Sequence, residues 1–204
     1  MRLCVVLAGG AGRRMGGRKP QRLYQGRSLG EQALALAAGF GDQVALSVRD
    51  HAQAEGLPPV PLLFDPADIE GPLAGVVSSL DHAVRIGAAQ VLTIPCDTPH
   101  LPDDLFLRLD AALADFPEAL AASAHDGERD QPVCALWRAA AITPVRDYAR
   151  SGRRSLRGLL QDLQAPQVIW DDPNANLFLN LNTPRDLQAD SSCGQGGHEA
   201  QPEH

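Results

Sequence analysis

The residues best suited to chemistry stand near the start of the chain, in LAGGAGRRMGGRK, Leu7 to Lys19. Five glycines in thirteen residues free the backbone to bring its amide hydrogens against an anion, which makes this a candidate phosphate loop. Neither familiar spacing fits. After Gly10 and Gly12 the third glycine of a dinucleotide fingerprint falls on Met15, and Lys19 lacks the preceding Gly and following Ser or Thr of a Walker A loop. Lys19 is the only lysine, against seventeen arginines. A compact ammonium on a flexible stem holds a phosphate charge where a planar guanidinium is too large. Chance placement in a basic loop is the competing explanation.

A second group is IPCDTP, Ile94 to Pro99. An apolar strand ending at Ile94 delivers Asp97 to the carboxyl edge of a sheet, facing the glycine-rich loop, where a carboxylate beside phosphates suits magnesium. On its own, a strand-end aspartate serves as readily as a turn or helix cap. The third group is FDPADIEGPLAG, with Gly71 and Pro72 opening a helix; its acids Asp65, Asp68 and Glu70 could touch ribose or simply be solvated.

These groups need a scaffold, and the hydrophobic period supplies one. Strands are predicted over Arg2 to Ala8, Gln43 to Val48, Pro59 to Phe64, Gln90 to Ile94, Ala119 to Ala124, Pro132 to Trp137 and Gln167 to Trp170. Helices are predicted over Leu29 to Gly39, Leu73 to Ile86, Asp103 to Asp115, Ala139 to Tyr148 and Leu156 to Leu163, with a further helix start at Thr183 to Leu187. The alternation implies an α/β three-layer sandwich with a mostly parallel, Rossmann-like sheet; the pair joined by HDGERDQ reads as an antiparallel, hairpin-like insertion. Ligands of such sheets sit beyond the carboxyl ends of the strands. Residues 1–189 are expected to form one domain and 190–204, poor in apolar residues, a disordered tail.

Composition narrows the partners. The chain has 204 residues and a formal charge of -7, yet residues 1–30 carry seven basic groups and no acid, leaving 11 basic against 25 acidic side chains elsewhere. A basic head on an acidic protein suits a small polyanion such as a nucleoside triphosphate rather than nucleic acid, although a solvated basic loop would look the same. Cys4, Cys96, Cys134 and Cys193 are scattered without metal-binding spacing, and the opening apolar run is too short for a signal peptide core or membrane span. A cytoplasmic location away from membranes is expected.

Together, LAGG with GRRMGG and Lys19, GPLAG at 71–75, PCDTP at 95–99, HDGERDQPV at 125–133 and NLNTPRDL at 180–187 resemble the molybdenum cofactor guanylyltransferases, a family of Rossmann-like nucleotidyltransferases. The resemblance spans residues 3–187. It implies transfer of GMP from GTP to the terminal phosphate of molybdopterin, releasing pyrophosphate and forming the guanine dinucleotide cofactor, with Mg2+ as cofactor and molybdoenzyme-maturation proteins as partners. By motif match, Leu7, Ala8, Gly9 and Gly10 would line the nucleotide, Lys19 would contact its phosphates, Asp65 would lie near the nucleoside and Asp97 would hold the metal. Asn180 and Asn182 would face the same site, and the region from His125 to Pro132, with His125, Asp126 and Arg129, would shape the pterin side together with the arginine-rich segment from Arg146 to Arg157. His82 and His100 are expected at the surface or behind the site. The sequence departs from the family pattern at Arg18, at LSVRDH around Ser47 and Arg49, and in the spacing from Asp65 to Gly71. The alternatives are a cytidylyltransferase of the same pathway, a sugar-phosphate nucleotidyltransferase, or a noncatalytic nucleotide sensor or carrier.

Overall fold

The computed structural model describes residues 1–9, 19–171, 177–183 and 186. Gly10, the arginines at 13, 14 and 18, most of the helix start at 183–187 and the tail at 190–204 therefore lie outside the described residues.

Among the described residues the main sheet has seven strands in the order β5-β4-β1-β6-β8-β7-β9. These are β1 (Arg2–Leu7), β4 (Gln43–Val48), β5 (Leu62–Phe64), β6 (Gln90–Pro95), β7 (Ala121–His125), β8 (Asp130–Arg138) and β9 (Gln167–Ile169). β5, β4, β1 and β6 run parallel, as does β9 beside β7; β8 alone runs antiparallel to its neighbours β6 and β7. The expected hairpin is thus β7–β8, and its second strand is stitched into the main sheet between β6 and β7. A small second sheet, β2 (Leu23–Tyr24) with β3 (Arg27–Ser28), has strands too short to leave a periodic signal.

Side-chain alternation on β1 divides the core. Cys4 and Val6 face the layer of α1 (Leu29–Phe40) and α3 (Leu105–Asp115); Leu3, Val5 and Leu7 face the layer of α2 (Pro72–Ile86), α4 (Ile142–Arg150) and α5 (Leu156–Asp162). Both faces of the central strands are covered, which is why their sequences read as continuous apolar runs. Each fully buried aliphatic side chain contributes about 1.5–3 kcal/mol relative to exposure, and Trp137, buried completely, also donates its indole N–H to Thr93 Oγ1 at 3.1 Å. α1 begins at Ser28, whose hydroxyl accepts from the Glu31 amide while the Glu31 side chain reaches back to the Ser28 amide. The expected strand at 59–64 is shorter than its apolar run because Pro59 and Pro61 cannot donate to a ladder, so pairing starts at Leu62.

Candidate functional site

Register brings the chemistry to one edge. Leu7 pairs with both Ser47 and Pro95, and Val48 pairs with Phe64, so the chain leaves β1, β4, β5 and β6 at nearly the same level. Gly9, Arg49, Asp65 and Asp97 follow within two residues of those strand ends and line one cleft of about 970 Å3.

Lys19 is carried by a single 3-10 turn, Lys19–Gln21. The turn is pinned because Gln21 Nε2 donates to the carbonyls of Ala52, Gln53 and Glu55 and because Pro20 is buried. From there the ammonium donates to the Asp97 carboxylate and, at 3.0 Å, to Asn182 Oδ1. Asp97 is only 9% exposed, and its backbone carbonyl accepts from the Leu181 amide at 2.9 Å. Residues 177–183 are fixed by further bonds: the Phe178 amide to the His100 carbonyl at 2.9 Å and Thr98 Oγ1 to Asn180 Oδ1 at 2.8 Å. Buried Phe178 also meets the Trp170 ring edge-on. Thus Lys19, Asp97 and Asn182 converge from parts of the chain up to 163 positions apart, with Asn180 close behind.

Leu7, Ala8, Gly9 and Asp65 line the same cleft. A Cβ on Gly9 would lie 1.8 Å from Asp65 Oδ2, so the loop can pass this close only as glycine. Burial raises the pKa of the Asp65 carboxyl, against hydrogen bonds from Ser47 and Ser78 and the nearby positive charge of Arg49, which lower it. Cys96, beside Asp97, is buried and its thiol pKa is pushed up to about 12, chiefly by desolvation and then by the Asp97 charge. It stays protonated and is unsuited to act as a nucleophile.

Asp126 and Arg129 line the cleft from the β7–β8 turn. The Asp126 carboxylate binds its own turn, accepting from the amides of Glu128 and Arg129 and from Gln131 Nε2. Burial opposes its ionisation, but these bonds outweigh it and hold the carboxyl below its ordinary pKa. The ring of His125 is turned to the same turn, its Nδ1 accepting from the Gly127 amide at 3.0 Å and its Nε2 lying 3.8 Å from Asp130 Oδ1. His82 is buried in α2 against Arg85 rather than lying at the surface, and His100 meets the Tyr24 hydroxyl at 3.0 Å. Asp68 and Glu70 do not line the main cleft; Glu70 lines a smaller pocket beside Asp65, and Asp68 lines neither.

Sequence reasoning placed Ser47 at a departure from the family pattern without giving it a partner. The signal was available: a serine in the apolar strand QVALSV must find a hydrogen-bond partner if buried, and this one is fully buried. Thr98 was missed as well, because its pairing with Asn180 crosses 82 positions and leaves no local trace.

The oxygen donors fit a hard divalent cation. Asp97 and Asn182 already present a carboxylate and an amide oxygen to a cation, the Lys19 ammonium. Among the described residues no group of three or more His, Cys, Asp or Glu side chains could form a closed metal cage. One carboxylate plus substrate phosphates suffices for a cation that keeps much of its water. With Lys19 on the same carboxylate, the arrangement can neutralise several phosphate charges at once. No helix among the described residues is long and apolar enough to cross a membrane.

Comparison with known proteins gives the family and the fold. Residues 4–168 match the MobA-like NTP transferase domain. A molybdenum cofactor guanylyltransferase of Cereibacter sphaeroides is 38% identical over 189 residues, covering 90% of this chain and 92% of that protein. One from Aliivibrio fischeri is 34% identical over 186 residues, with coverages of 90% and 92%. Among solved structures, molybdopterin-guanine dinucleotide biosynthesis protein A from Archaeoglobus fulgidus shares the fold, with a TM-score of 0.75 at 24% identity over 92% of this chain and 95% of that one. The 2-C-methyl-D-erythritol 4-phosphate cytidylyltransferase of Thermus thermophilus does so with a TM-score of 0.62 at 20% identity over 90% and 94%. The chain therefore belongs to the MobA-like NTP transferase family.

Proposed function

We propose that this enzyme transfers GMP from GTP to the terminal phosphate of molybdopterin, releasing pyrophosphate and forming the molybdopterin guanine dinucleotide. The observation that carries the reading is the convergence of Lys19, Asp97 and Asn182 in a cleft that Leu7, Ala8, Gly9 and Asp65 also line. A basic charge for phosphates and, on a different strand end, the carboxylate acceptor of Asp65 suit a nucleoside triphosphate laid along the sheet edge. Relatives named as molybdenum cofactor guanylyltransferases favour guanine over the cytidyl and sugar-phosphate alternatives.

The attacking group is a phosphate monoester, whose second pKa near 6 leaves it an anion at neutral pH. Its oxygen forms a bond to the α-phosphorus of GTP as the bond to the β-phosphate bridging oxygen breaks, and the electron pair leaves with pyrophosphate. No protein base is required. The protein contributes in-line positioning and charge neutralisation. Lys19 would hold phosphate oxygens, and Asp97 would hold the divalent cation, which we assign as magnesium. When bound, that cation supplies Lewis-acid neutralisation of charge on the phosphoryl oxygens. Asn180 and Asn182 would orient the reacting phosphates, and Arg129, with the turn held by Asp126 and His125, would border the pterin. The domain so defined runs over residues 1–189. The reading places the reaction in the reducing cytoplasm, with Cys4, Cys96 and Cys134 as buried free thiols, and passes the product to molybdoenzyme-maturation proteins.

Incubation with molybdopterin, magnesium and each nucleoside triphosphate in turn tests the assignment. Pyrophosphate should appear with GTP at least tenfold faster than with ATP, CTP or UTP. Release with CTP and not GTP would overturn the guanine assignment, and release with none would overturn the transferase reading.

A further inference from the structure

We propose that Ser47 is a positioning residue for nucleotide recognition: its buried hydroxyl locks the Asp65 carboxylate so that Oδ2 faces the cleft as an acceptor for an N–H or O–H donor of the nucleoside. The proposal rests on the reading of the cleft as a GTP site and adds the element that sets the acceptor's orientation.

Three constraints converge on this carboxylate. Its backbone is fixed because the Asp65 amide donates to the Val48 carbonyl at 2.8 Å, continuing the β4–β5 register one residue past the strand. One oxygen is occupied: Ser47 Oγ donates to Asp65 Oδ1 at 2.5 Å. Ser78 stands 3.4 Å from that same oxygen, but its single hydroxyl hydrogen has a nearer acceptor in the Gly75 carbonyl at 3.1 Å, so Ser47 is the principal donor. The second oxygen lies against Gly9, at the place where a side chain would otherwise begin.

The serine is itself held in one orientation. It is fully buried in the middle of the parallel strands, level with Leu7 and Leu63. α2 crosses so near that a Cβ on Gly75 would come within 2.8 Å of Ser47 Oγ and 3.0 Å of Leu7 Cδ2. With Leu7 on one side and Gly75 above, the hydroxyl turns to Asp65. A carboxylate at the end of a short strand would otherwise rotate about χ2, a soft torsion. Held by Ser47, it keeps Oδ2 toward the nucleotide and spares the bound state that ordering cost.

A double-mutant cycle tests this, with GTP binding read by calorimetric titration in magnesium and without the pterin. Ser47→Ala should weaken GTP binding about tenfold in the wild-type background, as for a lost hydrogen bond to a charged group, and less than twofold in the Asp65→Ala background, which has no acceptor for the hydroxyl. An equal loss in both backgrounds would overturn the proposal, since Ser47 would then act on the strand rather than through the carboxylate. Ser47→Cys, which keeps the volume with a weak donor, serves in the same cycle if the alanine variant does not fold. Two analogues locate the donor. The Ser47 effect should largely vanish with inosine triphosphate if the 2-amino group is contacted, or with 2′-deoxyguanosine triphosphate if the ribose is. Failure of the wild-type protein to bind GTP would instead strike the reading of the cleft itself.

Discussion

Replacement of Lys19 by alanine should lower kcat about a hundredfold or more, the loss seen when one stabiliser of transition-state charge is removed. As pyrophosphate departs, negative charge grows on oxygens that the protein must neutralise within a partly dehydrated cleft. Lys19 is the described basic side chain that reaches the Asp97 end of that cleft, held there by a turn that Gln21 anchors to the carbonyls of residues 52, 53 and 55. Lys19→Arg should recover little of the loss. The ammonium sits between the Asp97 carboxylate and Asn182 Oδ1, and a planar guanidinium on a shorter stem cannot occupy that point with the same contacts. Steady-state pyrophosphate release under saturating GTP is the measurement, and unchanged kinetics for Lys19→Arg would remove the argument from the compact ammonium.

Asp97→Ala should be more damaging, with turnover falling about a thousandfold and excess magnesium restoring little of it. Asp97 is the carboxylate that meets Lys19, and no three-member group of metal-ligating side chains stands elsewhere among the described residues to take over its role. In the proposed role, removing it would deprive the cation of its protein anchor, and it leaves Lys19 without its carboxylate partner. The loss should therefore persist when magnesium is raised well above the wild-type requirement, and chelation of metal from the wild-type protein should bring it to a similar floor. Wild-type rates for Asp97→Ala in ordinary magnesium would show that the metal is anchored elsewhere.

The scaffold was legible because the central strands are buried on both faces: LCVVL in β1 and VLTI in β6, polar only at Thr93, end at the chemistry-bearing loops. The level of Asp97 relative to the glycine-rich loop followed from the same runs, since parallel neighbours in register bring their carboxyl ends to one edge. The position of β8 between β6 and β7 was not legible, because strand order depends on which edge a hairpin joins and neither strand records its neighbour. The two-residue strands β2 and β3 were below the length at which period can be read. The carboxylate of Asp126 reads in sequence as a candidate for the pterin side, yet Asp-Gly is also a turn signal, and the structure uses its oxygens to hold the turn. The pairings of Ser47 with Asp65 and of Thr98 with Asn180 join distant segments, and only the folded chain discloses them.

A crystal structure with GTP and magnesium bound would locate the triphosphate and the cation together. It should show a triphosphate in the cleft between Lys19 and the loop at Gly9, a cation on the Asp97 carboxylate, and the nucleoside beside Asp65. A nucleotide bound outside this cleft, or one touching neither Lys19 nor a cation on Asp97, would contradict the reading of the cleft as a GTP site.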